Sequence, residues 1–169
     1  MLKKKTPLVL HQVSNFASGL GNSILMITIP WLILQETRSP AFAGLVAAIS
    51  AIPGLIISPI GGWLVDHVGR RAVSVCADLL SSLAVFAFPI VALTYGLSSF
   101  SILLIAVVGA IFDPAGYTAR KTLLADVAKA SEIELDRLNG IHDGFMGISW
   151  ILGPAVGAGL ISTVGAINS

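Results

Sequence analysis

Apolar residues run along this chain in long blocks, and the charged residues fall between the blocks rather than within them. No side chain carries a full charge between Lys5 and Glu36, with His11 taken as neutral, and a second uncharged run separates Arg38 from Asp66. A transmembrane helix needs about 20 largely apolar residues, so these runs predict spans at about 10–34 and 41–65. Residues 72–95 predict a third span, with Asp78 inside it. The next uncharged stretch, 79–112, exceeds what remains of one span, and the turn signal Thr94-Tyr95-Gly96-Leu97-Ser98-Ser99 divides it. A fourth span then falls at about 99–119, holding Asp113 and Pro114, and a fifth at about 140–163, uncharged after Asp143. The pattern is that of an all-α integral membrane chain, one transmembrane domain over residues 1–169 with five helices.

The basic residues orient these spans. Lys3, Lys4, Lys5, Arg70, Arg71, Arg120, Lys121, Lys129 and Arg137 fall on one side, and of the ten Lys and Arg residues only Arg38 falls on the other. That bias places the N-terminus in the cytoplasm, and with five spans the C-terminus outside. The three lysines resemble the start of a signal peptide. However, His11, Gln12, Ser14 and Asn15 interrupt the apolar run behind them, and residues 24–34 continue to Gln35 without a small-residue cleavage site. The expectation is a retained first span.

The longest loop is expected on the cytoplasmic side at about 120–138, between spans four and five. Ser131 with Glu134 forms a capping-box pattern, and Ile133, Leu135 and Leu138 supply an apolar face. A short helix on the membrane surface and a plain charged connector both fit.

Composition explains why lipid is the solvent. Hydrophobic residues make up 55% of the chain and charged residues 11%, with a mean hydropathy of +0.89. Soluble domains carry roughly 25% charged residues, so too little polar surface is present to cover a water-soluble globule. The net charge of +1 says nothing about nucleic acid, and no nucleic-acid partner is expected. Cys76 is the sole cysteine, which rules out an intrachain disulfide. His11, His67 and His142 are far apart in sequence and lack metal-ligand spacing, so ordinary polar roles are expected for them. Gly19-Leu20-Gly21 lacks the third glycine and the preceding strand of a dinucleotide fingerprint. Neither an enzyme nor a bound metal or cofactor is expected.

Candidate chemistry lies in the breaks of the apolar pattern. An Asp near the centre of a membrane helix costs about 2.5–3.5 kcal/mol on insertion scales, and such residues face a protein interior or a cavity. Asp78, Asp113 and Asp143 all fall in the cytoplasmic part of their spans, near Arg70, Arg71 and Arg120. They form either a charge network or, with Asp113 as the foremost candidate, a proton-coupling site. Asn22 is the polar group nearest the midplane and suits a substrate contact or a bridge between helices. Proline interrupts span two at Pro53 and Pro59 and span four at Pro114. In span five, Gly153 and Gly157 make a groove on one helix face, and Pro154 bends the helix. Static packing and a helix with two packing arrangements both use such residues.

The stretch Gly62-x-Leu64-x-Asp66-x-x-Gly69-Arg70-Arg71 resembles the signature loop between helices 2 and 3 of the major facilitator superfamily. His67 stands where that family often has Arg or Lys. Gly153-Pro154-x-x-Gly157-Ala158 is similar to the family's antiporter motif, with Ala158 and Ser149 where glycines are usual. Pro30-Trp31-Leu32 leading to Thr37-x-Ser39, Asp78-Leu79-Leu80 and Phe112-Asp113-Pro114-Ala115 look like the drug- and macrolide-efflux branch. The fourth-helix arginine of many drug antiporters has no counterpart before Gly109.

The resemblance implies most of one six-helix half of a transporter in a bacterial inner membrane. It implies cation-coupled efflux of hydrophobic small molecules, with a C-terminal half as the missing partner. A truncated remnant, or a half that needs a partner chain, is the alternative. Gly62, Asp66, Gly69, Arg70 and Arg71 would then form a conformational latch. Asp66 and Arg70 are four apart, as a pair within one helical stretch would be.

Overall fold

The computed structural model describes residues 2–94 and 98–167, apart from the side chains of 2–4, 84–85, 88–89, 92–93 and 163–167. Five helices follow one another: α1 Leu2–Thr37, α2 Pro40–Val68, α3 Arg70–Thr94, α4 Ser99–Ser131 and α5 Leu135–Ile167. Among the described residues there is no strand. The expected turn between spans three and four lies partly outside the described residues, at Tyr95, Gly96 and Leu97.

Among the described residues, four segments are long and apolar enough to cross a membrane: Lys5–Thr37, Pro40–Val68, Ser99–Ser131 and Leu135–Ser162. Helix α3 carries Arg70, Arg71, Ser74, Asp78, Ser81 and Ser82 in its first half and an apolar second half. The other helices outrun the expected spans. At 1.5 Å per residue, the 36 residues of α1 reach well past a hydrocarbon core of about 30 Å.

The connections are short, and each has a local cause. Helix α1 ends where Arg38 turns to a φ of 52° and its N–H donates to the Leu34 carbonyl at 2.9 Å, a left-handed stop. Ser39 then caps α2, its hydroxyl accepting from the Phe42 N–H at 3.2 Å, with Pro40 in the first turn. Gly69 alone separates α2 from α3. Its φ of 102° is a conformation that side-chain-bearing residues rarely adopt.

The loop expected at 120–138 is corrected. Helix α4 continues through this segment to Ser131, and α5 begins at Leu135. Polar composition suggested a loop, but Leu124, Val127 and Ala128 repeat at helical spacing and pack with Leu138, Leu8 and Ile133. Ser131 does not cap a new helix; it is buried as the last residue of α4. Glu132 takes a φ of 54°, and the Ile133 N–H reaches back to the Ala128 carbonyl at 3.1 Å. This is a Schellman stop completed by the apolar contact of Ile133.

The chain forms two compact units, Ile29–Lys121 and Met1–Thr28 with Thr122–Ser169. The first holds two cores, one of Ile33, Val46, Ile102 and Ala106 and one of Val65, Val73, Ala115 and Ala119. The second holds the cluster around Leu124 and Leu138. Large apolar side chains such as Leu55, Ile56, Leu83, Phe100 and Ile151 are exposed, as a lipid-facing surface requires.

Candidate functional site

In the unit Ile29–Lys121, the α2–α3 junction carries the signature residues. Asp66 is exposed near the end of α2, and Arg70 and Arg71 are exposed at the start of α3. The expected pairing of Asp66 with Arg70 is not formed, and Asp66 makes no hydrogen bond or ion pair among the described residues. The reason is Gly69: its positive φ ends the helix between them, so spacing by four no longer brings the two side chains together. His67 folds back on its own helix. Its ring stacks on Trp63 at 4.4 Å, and Nδ1 lies 2.8 Å from the Trp63 carbonyl oxygen.

The two glycines before this junction differ. A Cβ on Gly61 would meet the Cα of Ala115 at 3.1 Å, so α2 and α4 touch there. A Cβ on Gly62 would meet nothing within 4 Å. The sequence motif stresses Gly62, yet Gly61 is the one that packs. Whatever demands a glycine at 62 lies outside the packing of these residues.

Helices α3 and α4 join through polar side chains. Arg120 is 5% exposed, and its guanidinium donates to the Asp78 carboxylate. About one turn on along α3, the Ser81 hydroxyl donates at 2.9 Å to Asp113, two turns before Arg120 on α4. Beside Asp113, the Thr118 hydroxyl donates to the Pro114 carbonyl at 2.8 Å. Gly116 lets the helices close, since a Cβ there would sit 3.0 Å from that of Ala77. Asp78 and Asp113 therefore share one helix contact. Asp143 belongs to the other unit, where it is exposed on α5.

In that second unit, α1 and α5 run side by side. A Cβ on Gly153 would fall 2.2 Å from the Cβ of Ser23 and 2.9 Å from its carbonyl carbon. On Gly157 it would fall 3.3 Å from the Ile24 carbonyl oxygen. The groove expected from the glycine spacing is occupied by α1. Ser149, where the resembled motif has glycine, is fully buried, its hydroxyl 3.0 Å from the Phe145 carbonyl and 3.4 Å from that of Phe16. Asn22 is half-buried on α1 and makes no hydrogen bond among the described residues.

One cluster was not anticipated. His142 is 1% exposed, and its Nδ1 lies 3.1 Å from Asn15 Nδ2, although the residues are 127 positions apart. The His11 ring stacks on it at a centroid distance of 6.0 Å and an angle of 18°. Gln12 is buried on the same stretch of α1, and neither of its amide atoms has a hydrogen-bond partner. The signal was present as polar positions Gln12, Asn15 and Ser23 at helical spacing inside a membrane span.

Residues 13–168 match the sequence profile of the Major Facilitator Superfamily. The multidrug efflux pump Tap of Mycolicibacterium fortuitum is 39% identical over 169 residues, covering 98% of this chain and 41% of that protein. The multidrug efflux pump Tap of Mycobacterium tuberculosis is 37% identical over 166 residues, 96% of this chain and 40% of that pump. An uncharacterized MFS-type transporter of Sinorhizobium fredii is 29% identical over 149 residues, 88% of this chain and 36% of that protein. The chain thus spans about two fifths of the length of the pumps it matches. No solved structure matches it significantly.

Proposed function

The chain belongs to the Major Facilitator Superfamily, and on that premise we propose that it forms most of one half of a multidrug efflux transporter. The observation that carries this reading is the 39% identity to an efflux pump over 98% of the chain. Its substrates are hydrophobic small molecules, and their export is driven by a cation gradient. The 169 residues do not transport alone. Parallel halves of such proteins bind substrate at their mutual interface, so a second half completes the site, in a continuing chain or a partner chain.

The protein lies in a bacterial plasma membrane with its N-terminus in the cytoplasm, as the nine-to-one distribution of its ten basic residues supports. Helix α3 crosses as well, its polar first half shielded by α4 through Asp78–Arg120 and Ser81–Asp113. Asp66 and Arg71 hold no partner within the described residues, and Gly62 opens onto space. They form a latch that engages the rest of the transporter in one state and releases it in the other. Gly153 and Gly157 let α5 pack on α1 through that change, and Asn22 contributes to the substrate cavity.

Cells expressing the complete reading frame are expected to accumulate less of a hydrophobic fluorescent dye than cells with an empty vector. Collapse of the ion gradient by an ionophore should abolish the difference. Equal accumulation in both would contradict the proposal.

A further inference from the structure

We propose that His11 and His142, together with Asn15 and Gln12, form a proton-binding site between α1 and α5. The contact holds imidazoles and amides in the second unit, where apolar packing would suffice to join two helices. Asn15 and His142 are 1% exposed and Gln12 4%, so their polar atoms are cut off from solvent. The charged groups of the packed segments are Lys5 on α1, Asp126 and Lys129 on α4, and Asp136, Arg137 and Asp143 on α5. All six are exposed, as are Glu132 and Glu134 in the intervening turn. The stacked histidines are thus the groups within the contact able to change charge between about pH 5 and 8.

The hydrogen bonding sets what a proton would do. With the Asn15 amide nitrogen facing His142 Nδ1, Nδ1 is the acceptor and the neutral ring carries its hydrogen on Nε2. A proton taken up at Nδ1 would face another donor, so the Asn15 amide must turn over and offer its oxygen instead. Gln12 lies one turn earlier on the same face of α1, with its carbonyl oxygen unfilled. That oxygen is an acceptor available to the charged pair. Two stacked rings with centroids 6.0 Å apart resist a second positive charge, so the site takes one proton. Proton uptake therefore reorganises the contact about one turn from Gly19, where α1 presses on Met146 and Ser149 of α5.

The test needs no transport assay, so it stands or falls apart from the proposed efflux activity. The full chain in lipid nanodiscs, with ¹⁵N-labelled histidine, is titrated between about pH 5 and 8 and the imidazole nitrogen shifts are followed. The site predicts one protonation event shared by His11 and His142, distinct from the exposed His67. In His11→Phe, which keeps a stacking ring, His142 should lose the coupled response and titrate alone. In Gln12→Leu, which removes an acceptor for the charged form, the midpoint should differ from that of the unaltered chain. Neutral rings at both positions across the range, or a midpoint unmoved in both variants, would overturn the site.

Discussion

At the scale of single residues, burial decides which half of an ion pair the structure depends on. Arg120 is 6% exposed at its side chain and Asp78 33%. Removing the acid strands a buried guanidinium, whereas removing the base leaves a carboxylate that is only partly buried. Breaking a buried pair costs about 3–5 kcal/mol when the charge left behind stays buried. Asp78→Asn is therefore expected to lower the unfolding midpoint in detergent more than Arg120→Gln does. The reverse order would show that the pair is wetter than its burial indicates.

Gly69 and Gly62 offer a second contrast. Gly69→Ala forces a side chain into a φ of 102° and should cost about 1–3 kcal/mol. Gly62→Ala meets open space and should leave stability unchanged. If Gly62 matters for the latch, its alanine variant loses efflux in the complete protein while folding normally. Here the sequence motif marks the glycines but not the reason for each. Spacing cannot tell a glycine needed for backbone conformation from one needed for a neighbour's approach.

At the scale of helices, the apolar blocks were legible, because lipid and helix hydrogen bonding leave few alternatives for such runs. Where the helices stop was not legible. Polarity marked 120–138 as a loop, yet α4 and α5 run through it but for a short turn. A charged, solvated helix has the composition of a loop, and only the spacing of Leu124, Val127, Ala128 and Leu138 separates the two. The histidine cluster was hidden for a related reason: its members come from α1 and α5, and nothing local pairs His11 with His142.

Gly153 and Gly157 announced a close helix contact on α5 but not that α1 fills it, and the contact makes a graded prediction. Gly153→Ala drives a Cβ into Ser23 at 2.2 Å and towards its backbone at 2.9 Å. The helices must separate, at about 1–3 kcal/mol, and Ser23→Gly should restore only part of the loss. Gly159→Ala, with nothing within 4 Å, should leave thermal stability as it was. Equal unfolding midpoints for the Gly153 and Gly159 variants would remove the close contact from the account.

At the scale of the whole molecule, orientation and latch are linked. If the N-terminus is cytoplasmic and all five helices cross, a periplasmic reporter fused after Ser169 is active and a cytoplasmic one is silent. The opposite pattern would mean an even number of crossings. With the orientation right, Asp66, Arg70 and Arg71 meet the cytoplasm together, at a junction set by one glycine of positive φ.

The central claim is that this junction works as a latch in an efflux transporter, and one comparison addresses it directly. Asp66→Asn is introduced into the complete reading frame, and dye accumulation is measured at matched amounts of protein in the membrane. The account predicts that the variant inserts normally and exports no more dye than an empty vector. Export at the level of the unaltered protein would contradict it.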